Sequence, residues 1–237
     1  MTAYGRLFLI PSTLGETDPR EVIPAPVLAL LPRIDRYVVE NVRSARRYLS
    51  AAGLRGQIDS LSFTELSEHT SVEQIETMLT LFEDGHDVGL ISEAGLPAVA
   101  DPGAGLVALC HRHGIEVVPQ VGPSSLMLAL MGSGLNGQQF AFRGYIPAKT
   151  DQRRSAIAEL EKTSARLHQT QIFIETPYRN DTLLQDLLNT LKGNTMLCLA
   201  CDITLPDQSI LTRSVAQWRS SKPVIGKRPC VFLILAQ

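Results

Sequence analysis

Short apolar runs alternate along the chain with longer stretches at helical spacing, the pattern of a largely parallel sheet covered by helices. Residues 6–10 read as a strand that ends at Pro11, and residues 37–40 as a second. A helix follows over residues 41–52 and stops at Gly53. Ser71 is placed to cap a helix over residues 71–84, in which Val72, Ile75, Met78, Leu79 and Phe82 keep helical spacing. Gly85 closes it, and residues 88–91 make a buried strand. A helix over 104–113 leads to a strand over 116–119. The second half carries strands at 140–142, 171–175, 196–200 and 230–235, separated by helices at 124–131, 153–161 and 181–191. The breakers between Pro119 and Pro123 mark a boundary, which predicts an α/β protein of two lobes, residues 1–120 and 121–237, without an internal repeat.

Composition narrows the function classes. The net charge of −2 argues against a protein that coats nucleic acid electrostatically, and leaves room for a local basic patch. Four cysteines are too few and too irregularly spaced for a disulfide scaffold. Cys198 and Cys201 form a lone C-x-x-C inside a strand, where residues three apart face opposite ways, so buried reduced thiols are expected rather than a zinc or redox pair. His111 and His113 beside Cys110 finish a helix, where positive charge is favourable, and no metal site is expected. The run Gly132-Ser133-Gly134-Leu135-Asn136-Gly137 has dinucleotide-fingerprint spacing but follows a helix instead of opening one, so it reads as a helix stop. The start lacks a signal-peptide pattern and no segment is long and apolar enough to span a bilayer, so the expected location is the cytoplasm, with no membrane partner.

The chemistry concentrates in loops at the carboxyl ends of predicted strands, where open α/β sheets place ligand crevices. The first loop is Ile10-Pro11-Ser12-Thr13-Leu14-Gly15. The second runs Ser92-Glu93-Ala94-Gly95-Leu96-Pro97 and closes on Asp101-Pro102-Gly103. The third, Gly122-Pro123-Ser124-Ser125, opens a helix. Gly144-Tyr145-Ile146-Pro147-Ala148-Lys149 and Glu175-Thr176-Pro177-Tyr178-Arg179 follow. In order and spacing these resemble the motifs of the tetrapyrrole-methylase superfamily, closest to its small-subunit ribosomal RNA branch.

The resemblance implies two α/β lobes, mostly parallel in the N-terminal sheet and mixed in the C-terminal one, with S-adenosylmethionine in the cleft between them and a homodimer as the assembly. By position, Ile10, Pro11, Glu93, Gly95, Leu96, Pro97, Ser124 and Ser125 are implied as donor-binding, with Ala200 and Pro229 from later strands. Glu40, Arg43 and Glu175 are the candidates for the chemical step. Arg43 and Arg47, on one helical face with Arg46, are candidates for gripping substrate phosphates, together with Lys149, Arg153 and its neighbour Arg154, and Tyr178. The implied acceptor is a ribose 2′-hydroxyl of small-subunit rRNA, with rRNA or the small ribosomal subunit as partner. A small molecule such as a tetrapyrrole precursor, or a donor-binding protein without turnover, are the alternatives. Departures fall on the acceptor side: the branch's E-D-T-R is Glu40-Asn41-Val42-Arg43 here, and Glu93 stands where aspartate is usual.

Overall fold

A computed structural model describes residues 4–236. The chain divides into two compact units, Met1–Ser124 and Ser125–Gln237.

The first unit runs β1 (Leu7–Leu9), α1 (Pro19–Val22), α2 (Ala25–Leu30), β2 (Arg36–Val39), α3 (Val42–Leu49), β3 (Ser62–Glu65), α4 (Val72–Thr77), β4 (Val88–Ile91), α5 (Ala104–Arg112) and β5 (Val117–Pro119). Its five strands are all parallel, in the order β3-β2-β4-β1-β5. Successive strand residues feed two separate cores, as period-two geometry requires. Phe8, Tyr37, Val39 and Ile91 pack with Val27 of α2 and Ala45 and Leu49 of α3. Leu7, Val38, Val88 and Leu90 pack on the other face with Phe82 and with Leu106 and Leu109 of α5. Both faces are covered, which is why β4 reads as an unbroken apolar run.

Three stretches differ from the sequence pattern. The helix over 41–52 is regular only to Leu49, and continues as a wide turn, Ser50–Leu54, in which Gly53 takes φ +117°. The helix over 71–84 is regular only over Val72–Thr77, then tightens from Met78 and is broken where Glu83 and Asp84 (φ 58°) leave helical geometry. β3 escapes sequence reading because Ser-Phe-Thr-Glu carries one large apolar residue; pairing with β2 makes it a strand.

The second unit runs α6 (Ser125–Ser133), β6 (Phe140–Tyr145), α7 (Thr150–Leu167), β7 (Thr170–Ile174), α8 (Asn180–Thr190), β8 (Met196–Cys201), β9 (Ser209–Ser214), α9 (Val215–Ser221) and β10 (Cys230–Leu235). The sheet order is β6-β7-β10-β8-β9, with β6 parallel to β7 and the other pairs antiparallel. Phe173, Leu187, Leu199, Trp218 and Phe232 centre its core. Gly134 (φ 69°) lies immediately beyond α6, so the glycine run at 132–137 ends a helix. β9 and α9 were not legible, since β9 is a half-exposed edge strand of mostly polar residues. All four cysteines are buried free thiols, with Cys201 and Cys230 side by side across β8 and β10.

Candidate active site

Because β1, β2, β4 and β5 run parallel, their carboxyl ends share one edge of the first unit. The chain leaves β1 toward β2 on one side and β4 toward β5 on the other, so their loops diverge and open a crevice. Three loops are tied together there. The Ser12 amide donates to the Gly95 carbonyl at 2.9 Å, and the Ser12 hydroxyl to the Ser92 carbonyl at 3.2 Å. The half-buried Tyr48, from α3, donates its hydroxyl to the Pro11 carbonyl at 2.7 Å. Gly122 lies flat on Pro11: a Cβ at Gly122 would stand 2.1 Å from the proline Cβ, so only glycine permits this approach. The second loop is strained as well as tethered, since Ala98 and Ala100 both hold left-handed φ values of 64° and 65°. Such conformations cost about 1–3 kcal/mol each and persist where surrounding contacts dictate the backbone.

Carboxylates gather at the ends of β2 and β4. The Glu93 amide donates to Glu40 Oε2 at 3.3 Å, and the Ser44 hydroxyl reaches Glu93 Oε1 at 3.2 Å. Burial is the main cause that raises the Glu40 carboxyl above its ordinary range; the charges of Asp101, Glu93 and Glu68 add to it and the Glu93 amide opposes it. Asp101 is raised too, first by burial and then by Glu93. Asn41 has a structural job here. Its Oδ1 caps α3, accepting from the Arg43 and Ser44 amides at 3.0 and 3.1 Å. Asparagine and aspartate cap helices equally well, so this departure from the family pattern conserves the local structure.

A cavity of about 540 Å³ lies between the first loop and α3, lined by residues including Ser12, Thr13, Ser44, Arg47, Tyr48 and Glu93. Among the expected substrate-binding residues, Arg47 lines this cavity and Arg43 is exposed one helical turn earlier. Arg46 leaves their set, because it turns aside to pair with Asp59. Of the expected donor-binding residues in this unit, Glu93 lines the cavity wall, Ile10 is fully buried and Pro11 is locked under Gly122. Gly95 (φ 78°) sits against Leu14 and the Pro123 carbonyl, buried Pro97 and half-buried Leu96 continue its loop, and Ser124 precedes α6.

In the second unit, Ser125 begins α6, Ala200 is buried opposite Val231, and Pro229 accepts the Asp202 amide at 3.0 Å. Lys149 and Tyr178 are exposed, with the Lys227 ammonium 5.0 Å from the Tyr178 ring centre. Arg153 is the clear correction. It was expected to grip substrate, yet its side chain is only 4% exposed and donates to Asp186 Oδ2 at 2.6 Å and the Ala148 carbonyl at 2.8 Å. An amphipathic helix of arginines does not reveal from sequence which one finds a buried acid 33 residues away. Glu175 is likewise enclosed. Its Oε1 accepts from Arg179 at 2.6 and 2.9 Å and from the Thr176 amide at 2.7 Å, which fixes the turn into α8. Tyr48 carried no sequence signal, since a tyrosine in a helix reads as core.

Among the described residues no group of three or more His, Cys, Asp or Glu side chains is placed to hold a metal, and no helix is long and apolar enough to cross a membrane. Residues 25–218 match the family model for tetrapyrrole (corrin/porphyrin) methylases. A protein named ribosomal RNA small subunit methyltransferase I from Vibrio cholerae is 31% identical over 89% of this chain and 69% of its own length. One of the same name from Pasteurella multocida is 30% identical over 97% of this chain and 79% of its own length. Another, from Thermotoga maritima, is 29% identical over 93% of this chain and 95% of its own. Among solved structures, the methyltransferase CobJ superposes with a TM-score of 0.64 at 16% identity, covering 98% of this chain and 94% of that one. Uroporphyrin-III C-methyl transferase from Thermus thermophilus, complexed with S-adenyl homocysteine, gives 0.58 at 16% identity, covering 98% and 97%. The parallel sheet, the tethered loops at its carboxyl edge and these matches lead to one assignment: the chain belongs to the tetrapyrrole methylase family and is a methyltransferase.

Proposed function

We propose that the chain transfers the methyl group of S-adenosylmethionine to a ribose 2′-hydroxyl of small-subunit ribosomal RNA. The observation that carries this is the likeness, over 89% to 97% of this chain, to proteins named ribosomal RNA small subunit methyltransferase I, coupled to a cavity lined by Arg47 and by the carboxylates of Glu16 and Glu93. The donor fits the tethered loops of the first unit. Glycine at 122 and at 95 lets the three loops pack against one another, and the backbone at Ile10 and Pro11, the loop holding Glu93, Gly95, Leu96 and Pro97, and Ser124 are its candidates there. Ser125, Ala200 and Pro229 are the second unit's candidates.

The donor supplies an electrophilic methyl group, so one O–C bond forms as one S–C bond breaks and the hydroxyl proton must leave. Glu40 takes that proton in this reading, because a carboxyl raised by burial is a stronger base than an ordinary one. Glu175 is the poorer candidate, being tied to Arg179. Arg43 and Arg47 are cations that orient phosphate and leave the proton to Glu40. The cytoplasm, where the small subunit resides, is the matching location. A homodimer belongs to the same reading, supported by Met127 and Met131, exposed apolar residues one turn apart on α6.

Calorimetric titration with S-adenosylmethionine and S-adenosylhomocysteine, followed by methyl transfer to unmodified small subunits with nuclease mapping of the product, tests the proposal. Micromolar donor binding and a 2′-O-methylated nucleotide are expected. Donor binding with methylation of a small tetrapyrrole precursor and none of RNA would overturn the acceptor, and absence of donor binding would overturn the whole.

A further inference from the structure

Beside the cavity just described lies a second hollow, of about 490 Å³, lined by Arg46, Arg47, Ser50, Ala51, Arg55 and Ile58. Three arginines around one hollow are not an accident of helical spacing, because Arg55 is not on α3. The wide turn after α3 reverses the chain through Gly53, whose φ of +117° L side chains rarely adopt, and this brings Arg55 back to the same hollow as Arg46 and Arg47. Their charges are unequally balanced. Arg46 pairs with Asp59 and sits 5.8 Å from the Phe63 ring centre, so its charge already has a partner. Arg47 and Arg55 are exposed and, among the described residues, make no ion pair. The hollow therefore holds two uncompensated guanidinium groups, a hydroxyl at Ser50 and an apolar patch at Ile58.

Arg47 and Ala51 line both cavities, so the two adjoin along α3 and the turn that follows it. The larger reaches Ser12, Glu93 and the tethered loops; the smaller lies among the arginines. The geometry points to a phosphate-binding subsite for the RNA strand in the Arg47–Arg55 hollow, which holds the phosphodiester flanking the nucleotide that occupies the larger cavity. This inference rests on the RNA reading above and adds a location and a residue, Arg55, to it. Guanidinium groups suit this ligand because they offer paired donors in fork geometry to phosphate oxygens. Each phosphate contact releases counterions, so the subsite has a measurable signature in the salt dependence of binding.

The test uses the full chain and labelled, unmodified small-subunit rRNA, titrated between about 50 and 200 mM KCl. The double variant Arg47→Ala/Arg55→Ala is compared with wild type and with Arg33→Ala, which removes one exposed charge elsewhere on the first unit. For two lost contacts to single-stranded phosphates, the slope of log affinity against log salt should flatten by about 1.4. Affinity at low salt should fall about tenfold or more, while Arg33→Ala changes neither by as much. Donor affinity by calorimetry should be unchanged in all three proteins, which also reports that the variants are folded. If wild type binds and the double variant keeps its slope and affinity, the subsite is wrong and the RNA reading survives. If wild type shows no salt-dependent RNA binding, the RNA reading falls and the subsite with it.

Discussion

The Arg153 guanidinium donates to Asp186 at 2.6 Å with both side chains almost fully enclosed, at 4% and 6% exposure, joining α7 to α8. Arg154, half-exposed, takes the other carboxylate oxygen at 3.0 Å. Burial alone would push Asp186 up, but hydrogen bonds from Arg153 and Arg154 and their charges outweigh it and hold the carboxyl below the usual range. A depressed carboxyl contributes stability that is present above its unfolded value and is lost as pH falls toward the folded one. Arg153→Met leaves Asp186 with one partially solvated cation and should cost about 3–5 kcal/mol at neutral pH. Denaturant unfolding at neutral pH and at about pH 3 checks both parts, since the penalty should shrink as pH falls below the ordinary aspartate value. A change below about 1 kcal/mol would mean that the pair is dispensable.

Glu40 offers the corresponding prediction for chemistry. Its carboxyl is raised, first by burial and then by neighbouring acids, so the rate of methyl transfer should climb with pH through a value above that of ordinary glutamate. Glu40→Gln should lower kcat by about 10²–10⁴-fold and abolish that limb, while donor affinity by calorimetry stays the same. The raised value also means that folding disfavours its ionised form. The variant should therefore gain stability over wild type as pH rises above the ordinary carboxylate range. Retention of both rate and limb would remove Glu40 from the chemical step.

Gly122 tests the tethered loops. Alanine there would place a methyl 2.1 Å from Pro11 Cβ and 2.3 Å from its Cγ, forcing the first and third loops apart. Gly122→Ala should lower stability by about 1–3 kcal/mol, as overpacking does, and weaken donor binding by about tenfold or more. Thermal unfolding and calorimetry on the same preparation separate the two effects. Full donor affinity in this variant would show that the Pro11–Gly122 contact is structural only.

Asn41 separates helix capping from acceptor recognition. Asn41→Ala should lose about 1 kcal/mol because the Arg43 and Ser44 amides lose their acceptor. Asn41→Asp, which restores the family's usual residue, keeps the cap and adds a favourable negative charge at the helix start. It should leave kcat and RNA affinity within about twofold of wild type, or about 0.4 kcal/mol. A large gain in activity on Asn41→Asp would instead make the side chain part of the acceptor site.

Sequence alone determined the alternation of buried strand and covering helix, because β4 and β10 are nearly unbroken apolar runs and Ser71 and Gly134 punctuate helices by local chemistry. It also determined where the loops of the candidate site fall, since Gly, Pro and small polar residues at strand ends are local signals. Edge strands such as β3 and β9 were decided by the tertiary structure, because a half-exposed strand takes its conformation from the neighbour it pairs with. The sorting of the arginines was decided there too. Arg43, Arg46, Arg47, Arg153 and Arg154 look alike in one dimension, yet Arg46 meets Asp59, Arg153 meets buried Asp186, and Arg47 is left facing a cavity with Arg55. Charge neutralisation depends on distance in space, and partners 13 and 33 residues away are set by the fold rather than by any spacing along the chain.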